Sequence, residues 1–261
     1  MNILVCLKMV SRATYTDMLC ADDASDDRLS GGTIEINPAD AYALETALKL
    51  KDRYGAHVTV LSMSPMLAEP MLRSALAMGA DEAVLVCDRI FAGSDTIATA
   101  KTLSAALKTL PRQDMIFCGS KAIDSETGHI GAQLAALNEL RYMGDVLAVN
   151  ELRDGRLCVK HAGKHGAEEY FLVLPAVFSI INGTGMIRSP TIFGLRSSAK
   201  REIRIMTGDT LHLTAEQAGK NASGTETVRV DSLSFAHRHG AYTDDVHDGA
   251  AGLAEMLECA K

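Results

Sequence analysis

Residues 117–135, F-C-G-S-K-A-I-D-S-E-T-G-H-I-G-A-Q-L-A, have the types and spacing from which chemistry can be argued. A short apolar run ends in glycine, turns through polar residues and re-enters as a helix, so the stretch reads as strand, loop and helix N-terminus. Free amides at a helix start suit a nucleotide phosphate or a flavin pyrophosphate, and no lysine-bearing phosphate loop of the Walker type lies nearby. Other constellations are poorer. His237-x-His239 with Asp244 and His247 matches no familiar metal-ligand spacing and no cysteine joins it, so no metal site is assigned. No G-x-S-x-G elbow follows a strand, and no residue is assigned a catalytic role. The twelve methionines lie mostly in apolar runs and read as core filler.

A phosphate-holding loop needs a sheet to carry it, and the chain supplies one in alternating units. Residues 2–10 form a short apolar run expected to be a strand buried on both faces. Residues 11–32 turn acidic, with Asp22, Asp23, Asp26 and Asp27 before Gly31-Gly32, and read as a solvated excursion or a hairpin. Asn37-Pro38-Ala39-Asp40 is a strong helix start, because Asn37 can cap free amides, Pro38 suits the first helical position and Asp40 complements the dipole. The helix is expected to run to about Tyr54, with Gly55 ending it, before a strand at 57–62. The pattern repeats: helix 70–78, strand 82–87, helix 96–110 capped by Ser94 or Asp95, strand 114–118, and helix 128–137. Strands alternating with helices predict a doubly wound, mainly parallel α/β sheet, with its ligand beyond the carboxyl ends of the strands near a topological switch.

The rhythm then changes. Segments 144–152 and 156–161 flank Asp154-Gly155, a good hairpin turn, and strands at 169–174 and 176–181 are split by Pro175. Beyond Asn182 glycines and prolines break the chain, 196–204 is basic and polar, and 207–245 is mostly polar. Leu253, Met256 and Leu257 then recur at helical spacing within 249–260. We therefore expect a nucleotide-binding domain over 1–190 and, over 191–261, an extended C-terminal arm that docks on a partner surface.

Bulk properties fit this outline. The 261 residues are 47% hydrophobic and 23% charged, enough for a sizeable core, and a net charge of -7 argues against non-specific nucleic-acid binding. The six cysteines are scattered without a C-x-x-C pair and read as reduced thiols. No apolar run reaches membrane-spanning length and the N-terminal run is too short for a signal peptide, so neither membrane insertion nor export is expected. The cytoplasm, or the mitochondrial matrix in a eukaryote, is the expected compartment.

The blocks N-I-L-V-C-L-K, N-P-A-D-A-Y-A-L-E-T-A-L-K-L-K, R-S-A-L-A-M-G-A-D-E-A-V-L-V at 73–86, C-G-S-K-A-I-D-S-E-T-G-H-I-G at 118–131 and L-P-A-V at 174–177 together resemble the β subunit of electron transfer flavoprotein. The similarity runs from Met1 to the neighbourhood of Ile205. It implies an adenine-nucleotide-hydrolase-like fold and a heterodimer with an α subunit that holds most of a redox-active FAD. It also implies electron delivery from a flavin dehydrogenase, such as an acyl-CoA dehydrogenase, to a downstream acceptor, with participation in electron bifurcation as a branch. The chain itself would be an electron-carrier subunit and no enzyme.

The resemblance further implies a nucleotide at the sheet edge, AMP or a second FAD. Its contacts would come from Cys6, from Asn37, Pro38, Ala39 and Asp40, from Met63 and Cys118, from the loop residues Ala122, Ile123, Asp124, Ser125, Glu126 and Thr127, and from Gly128, His129, Ile130, Gly131, Ala132 and Gln133 at the helix start. Asp124 is better suited to fixing the loop than to touching phosphate, which it would repel. Residues 188–195 resemble the family's recognition loop, with Ile192 where a leucine enters a pocket on the partner dehydrogenase. The sequence departs from the family pattern at 9–13 (M-V-S-R-A), at Lys164-His165-Gly166-Ala167-Glu168, at Phe193 in place of a proline and at His129 in place of a glutamine; Tyr15 is a candidate flavin contact. The competing class is a stand-alone adenine-nucleotide-binding protein of universal-stress type, for which a long arm without a core has no use.

Overall fold

The computed structural model describes residues 1–12, 33–183, 185–226, 228 and 245–259. Tyr15, the acidic cluster before Gly31-Gly32, and His237, His239 and Asp244 lie outside the described residues. Residues Met1–Val228 form one compact unit and Arg229–Lys261 a second.

In the first unit the strands are β1 (Asn2–Cys6), β2 (Met9–Arg12), β3 (Thr33–Ile36), β4 (His57–Met63), β5 (Glu82–Val86), β6 (Met115–Gly119), β7 (Arg141–Arg153), β8 (Arg156–Gly163), β9 (Gly166–Val173), β10 (Ala176–Ile180) and β11 (Arg204–Met206). The helices are α1 (Pro38–Tyr54), α2 (Glu69–Met78), α3 (Thr96–Lys108), α4 (Ile130–Leu137), α5 (Ile192–Ser198) and α6 (Gly208–Leu211). The second unit contributes α7 (Val246–Cys259).

Nine strands join in the order β11-β5-β4-β1-β6-β10-β7-β8-β9, parallel except where β7, β8 and β9 turn back on one another. The sheet is thus α/β and mainly parallel, as its alternating pattern requires. Because side chains alternate across a strand, Ile3 and Val5 join a core layer with Leu44, Leu48, Leu72 and Phe178, whereas Leu4 and Cys6 join the other with Leu103, Leu134 and Val177. Both faces of β1 are covered, which explains its unbroken apolar run.

Several boundaries differ from the sequence expectation, each for a local reason. Residues 2–10 divide into β1 and β2 because the Lys8 amide leaves the sheet and donates to Asp40 Oδ2 at 2.7 Å. The chain then pairs Met9–Arg12 antiparallel with Thr33–Ile36, so Arg12 and Thr33 stand opposite each other. Helix α4 begins at Ile130, two residues later than expected, because Gly128 adopts the left-handed φ of 67° and cannot open a right-handed helix. Strand β7 is longer than its apolar pattern: its first residues run parallel to β10, then the chain shifts register past Asp145 and pairs antiparallel with β8. Asp154 and Gly155, with φ of 50° and 69°, make the expected hairpin turn.

The segment after Asn182 carries more structure than its breakers suggest. Strand β11 pairs with β5 at the sheet edge. Asp88 accepts from the Gly208 amide at 2.9 Å, and Asp95, whose other oxygen caps α3 through Ala98, accepts from the amides of Gly224 and Thr225. These carboxylates strap residues 207–225 to the sheet. On α7, Leu253 and Leu257 are exposed.

Candidate functional site

The sheet order places the topological switch between β1 and β6: from β1 the chain builds outward through β4 and β5, then returns to the opposite side of β1 with β6. A crevice at the carboxyl ends of these two strands follows from that reversal. Cys6 closes β1, Cys118 stands one residue before the end of β6, and α1 begins directly above them.

Asp40 ties the two strand ends together. Its Oδ2 accepts the Lys8 amide at 2.7 Å and its Oδ1 the Gly119 amide at 2.8 Å. Burial pushes its carboxyl up to about 6, against the pull of those two amides, of Asn37 and of the Lys8 charge. The approach is close enough that a Cβ on Gly119 would lie 2.4 Å from Asp40 Oδ1 and 2.7 Å from the Ala39 Cβ, so only glycine fits there. The glycine that ends the apolar run is therefore a packing requirement of the site.

Asn37 does not cap its own helix. Its side chain makes no bond to the α1 amides; it reaches across the crevice, donating from Nδ2 to the Lys121 carbonyl at 2.9 Å and accepting the Ile123 amide on Oδ1 at 3.1 Å. Both ends of the amide are committed to the loop, in a residue only 1% exposed. The expectation of an N-cap is corrected on that geometry. Lys8 holds the same loop from below, its Nζ 2.6 Å from Asp124, so that Asp124 is engaged in an ion pair. After Ala122 the chain folds back through the Glu126 amide on the Ala122 carbonyl (2.8 Å), passes Glu126 and Gly128 at positive φ, and enters α4.

Helix α4 lies close over β10 and β7. A Cβ on Gly131 would fall 2.3 Å from Ser179 Oγ, which accepts a hydrogen bond from the Tyr142 hydroxyl at 3.1 Å. Farther along, Gln133 donates to Thr96 Oγ1, the first residue of α3, at 3.2 Å, while its Oε1 is buried without a partner among the described residues. Beside the loop an open hollow of about 310 Å³ is lined by Ser120, Lys121, Ala122, Ile123, Glu126, Ile181 and Asn182.

The structure thus brings Cys6, Asn37, Pro38, Ala39, Asp40 and Cys118 to one crevice, roofed by the loop from Ala122 to Thr127. Met63 ends the neighbouring β4 and packs against the core layer that contains both cysteines. Gly128, His129, Ile130, Gly131 and Ala132 form the α4 start. Ile192 belongs elsewhere, on α5, which packs against α2 so closely that a Cβ on Gly194 would meet the Ala77 carbonyl oxygen. There Ile192 and Phe193 stand 84% and 87% exposed. Sequence reasoning missed Lys8, Gly119 and the Ile181–Asn182 wall. A lysine directly after a buried apolar strand was the one signal for the first. Among the described residues no group of three or more metal-ligating side chains comes together, and no helix is long and apolar enough to cross a membrane.

Comparison with known proteins bears on this crevice and the chain around it. The electron transfer flavoprotein domain family matches residues 30–202. The chain is 36% identical over 259 residues to an electron transfer flavoprotein subunit beta of Thermoanaerobacterium thermosaccharolyticum, covering 98% of each chain. It is 33% identical over 262 residues to the subunit beta of Clostridium acetobutylicum, covering 99% of this chain and 98% of the other. It is 35% identical over 234 residues to subunit CarD of the caffeyl-CoA reductase-Etf complex of Acetobacterium woodii, covering 88% and 87%. With the family's domain matched over residues 30–202 and β-subunit relatives aligned along nearly the whole length, the chain belongs to the electron transfer flavoprotein family, as a homologue of its β subunits.

Proposed function

We propose that the chain works as the β subunit of an electron-carrying heterodimer, its α partner holding most of the redox-active FAD, and that the β1–β6 crevice holds an adenine nucleotide, AMP or the adenosine half of a second FAD. The observation that carries the site is that Asn37 and Lys8 hold one loop over the switch point while Asp40 ties the two strand ends beneath it, where α/β sheets receive their ligands.

The residues fit such a ligand. The α4 start offers backbone N–H groups and the positive dipole end to phosphate, while Lys8 masks the charge of Asp124 that would repel it. Backbone groups beside Cys6 and Cys118 border the crevice where an adenine edge would be read. The buried Oε1 of Gln133 is an acceptor that a ligand hydroxyl or amino group would satisfy. A bound flavin supplies the one- and two-electron chemistry; these residues bind and orient, and none needs to act as nucleophile or general acid.

Residues 191–261 provide the contacts with other proteins in this reading. Ile192 and Phe193, held out on α5, are the anchor offered to a flavin dehydrogenase, and α7 offers Leu253 and Leu257 to the α subunit. A relative that is a subunit of a caffeyl-CoA reductase complex supports an acyl-CoA-handling enzyme as the electron-transfer partner. The universal-stress alternative loses its ground, since β-subunit relatives align with the C-terminal segment as well as the sheet.

Acid release of ligands from the purified heterodimer tests the reading. One FAD with one AMP per dimer supports simple transfer, and two FAD supports bifurcation. A chain that yields neither an adenine nucleotide nor, with its partner, any flavin would refute both.

A further inference from the structure

Cys6 and Cys118 have no role in holding the loop, yet they stand side by side. Strands β1 and β6 pair in parallel with Ile3, Leu4 and Val5 opposite Met115, Ile116 and Phe117, which puts Cys6 and Cys118 on the next rung. Both side chains point to the same face, in the core layer with Leu4, Ile116, Leu134 and Val177. That register makes the two side chains nearest neighbours across the strand pair, and both thiols are free. Neighbouring parallel strands run about 4.8 Å apart, inside the roughly 4.4–6.8 Å range of Cα separations that a disulfide spans. Cys87, which follows β5, and Cys158, within β8, are also free and sit elsewhere.

We propose that Cys6 and Cys118 are a reversible dithiol–disulfide pair, oxidised by hydrogen peroxide, whose closure ties the ends of β1 and β6 together beneath the crevice and weakens its hold on the nucleotide. Cys6, at 7% exposure against 3%, is the sulfur that peroxide meets first. Its thiolate attacks peroxide, an S–O bond forms, the O–O bond breaks, and the departing hydroxide takes up a proton as water. The sulfur of Cys118 then attacks the Cys6 sulfenic acid: the S–S bond forms, the S–O bond breaks, and the proton lost from Cys118 leaves with the second water. Two thiols lose two electrons in total and one peroxide becomes two waters.

The neighbouring thiol of Cys6, then burial, then the charge of Asp40 keep Cys118 protonated well above the ordinary thiol value, so Cys118 is not the sulfur that attacks peroxide. The consequence for the crevice follows from chain position. Asp40 accepts from Lys8, two residues past Cys6, and from Gly119, one past Cys118. Drawing the two neighbouring sulfurs into a bond of about 2.05 Å moves those amides relative to the carboxylate that binds both. This effect on the nucleotide rests on the crevice being the nucleotide site; formation of the disulfide does not.

The test uses the full chain purified with its α subunit, treated with hydrogen peroxide, alkylated without reductant and digested with trypsin. The proposal expects peptides 1–8 (M-N-I-L-V-C-L-K) and 113–121 (Q-D-M-I-F-C-G-S-K) to appear joined, two hydrogens lighter than their sum. The joined species should disappear with dithiothreitol and be absent from Cys6→Ala and Cys118→Ala. Recovery of both peptides as separately alkylated or over-oxidised species overturns the pair. Adenine nucleotide is assayed in the same samples, and its loss from the cross-linked but not the reduced protein is expected. Linkage with full nucleotide retention overturns the coupling, whereas a linked protein that carried no adenine nucleotide even when reduced overturns the nucleotide reading and leaves the pair standing.

Discussion

Two side chains decide the shape of the crevice, and each makes a separable prediction. Asn37 uses both its donor and its acceptor on the loop, so Asn37→Ala strands the Lys121 carbonyl and the Ile123 amide. We expect a loss of about 1–3 kcal/mol in urea denaturation, together with loss of adenine nucleotide from the purified heterodimer. Unchanged nucleotide content would show that the loop holds its form without Asn37. Asp40 behaves differently. Its folded carboxyl titrates at about 6 and the unfolded one near 3.8, so between these values the native state holds a proton that the unfolded chain has released. Stability contributed through Asp40 is therefore greatest below both values, falls as pH rises through the window and levels off above about 6, at a cost of order 3 kcal/mol. The stability of the wild type relative to Asp40→Asn should rise by about 2–3 kcal/mol between pH 7 and pH 4, measured by urea denaturation at the two values. A gap that does not move with pH would contradict the assignment. The cost persists because a carboxylate accepts from both strand ends, whereas an asparagine has one acceptor to offer two N–H groups.

At the scale of elements, α4 is positioned by what it lacks. Gly131→Ala would drive a methyl into Ser179 Oγ and against Tyr142, lifting the helix start away from β10. We expect destabilisation of about 1–3 kcal/mol, partly restored by adding Ser179→Ala, which removes the nearest atom; denaturation of the single and double variants checks this. This site shows where the sequence could be read and where it could not. The strand–loop–helix unit from β6 to α4 was legible because glycine, polar turn and renewed apolar period are local signals. So were α1, with proline at its start and Gly55 at its end, and the Asp154-Gly155 hairpin. The partner of Asn37 was not legible: the same residue type serves as helix cap or as a cross-crevice bridge, and only tertiary placement decides between them. Strand β11 and the strap after it were hidden for a related reason. Three residues, Arg204–Met206, give no period to read, and their fixing depends on Asp88 and Asp95 more than a hundred residues earlier.

At the scale of the whole molecule, the proposed function divides labour between a sheet edge that holds a nucleotide and surfaces that meet other proteins. The parallel sheet was legible from rhythm, and the switch point follows once β6 is seen to lie across β1 from β4. Which proteins the exposed Ile192 and Phe193 meet is written in no local pattern, since an exposed apolar pair has the same sequence signature wherever it docks. Substituting both, Ile192→Asp with Phe193→Ser, should change stability by less than about 0.5 kcal/mol, because neither side chain is buried in this chain. Electron transfer from the partner dehydrogenase should nevertheless slow by about tenfold or more, while flavin and nucleotide content stay unchanged. Equal rates for variant and wild type in a stopped-flow assay would remove Ile192 from the interface. The most direct measurement for the central claim is an experimental structure of the heterodimer with its natural ligands. The account predicts an adenosine phosphate seated between Cys6, Asp40 and Cys118, with its phosphate over residues 122–133; a nucleotide found elsewhere, with that loop remote from any ligand, would contradict it.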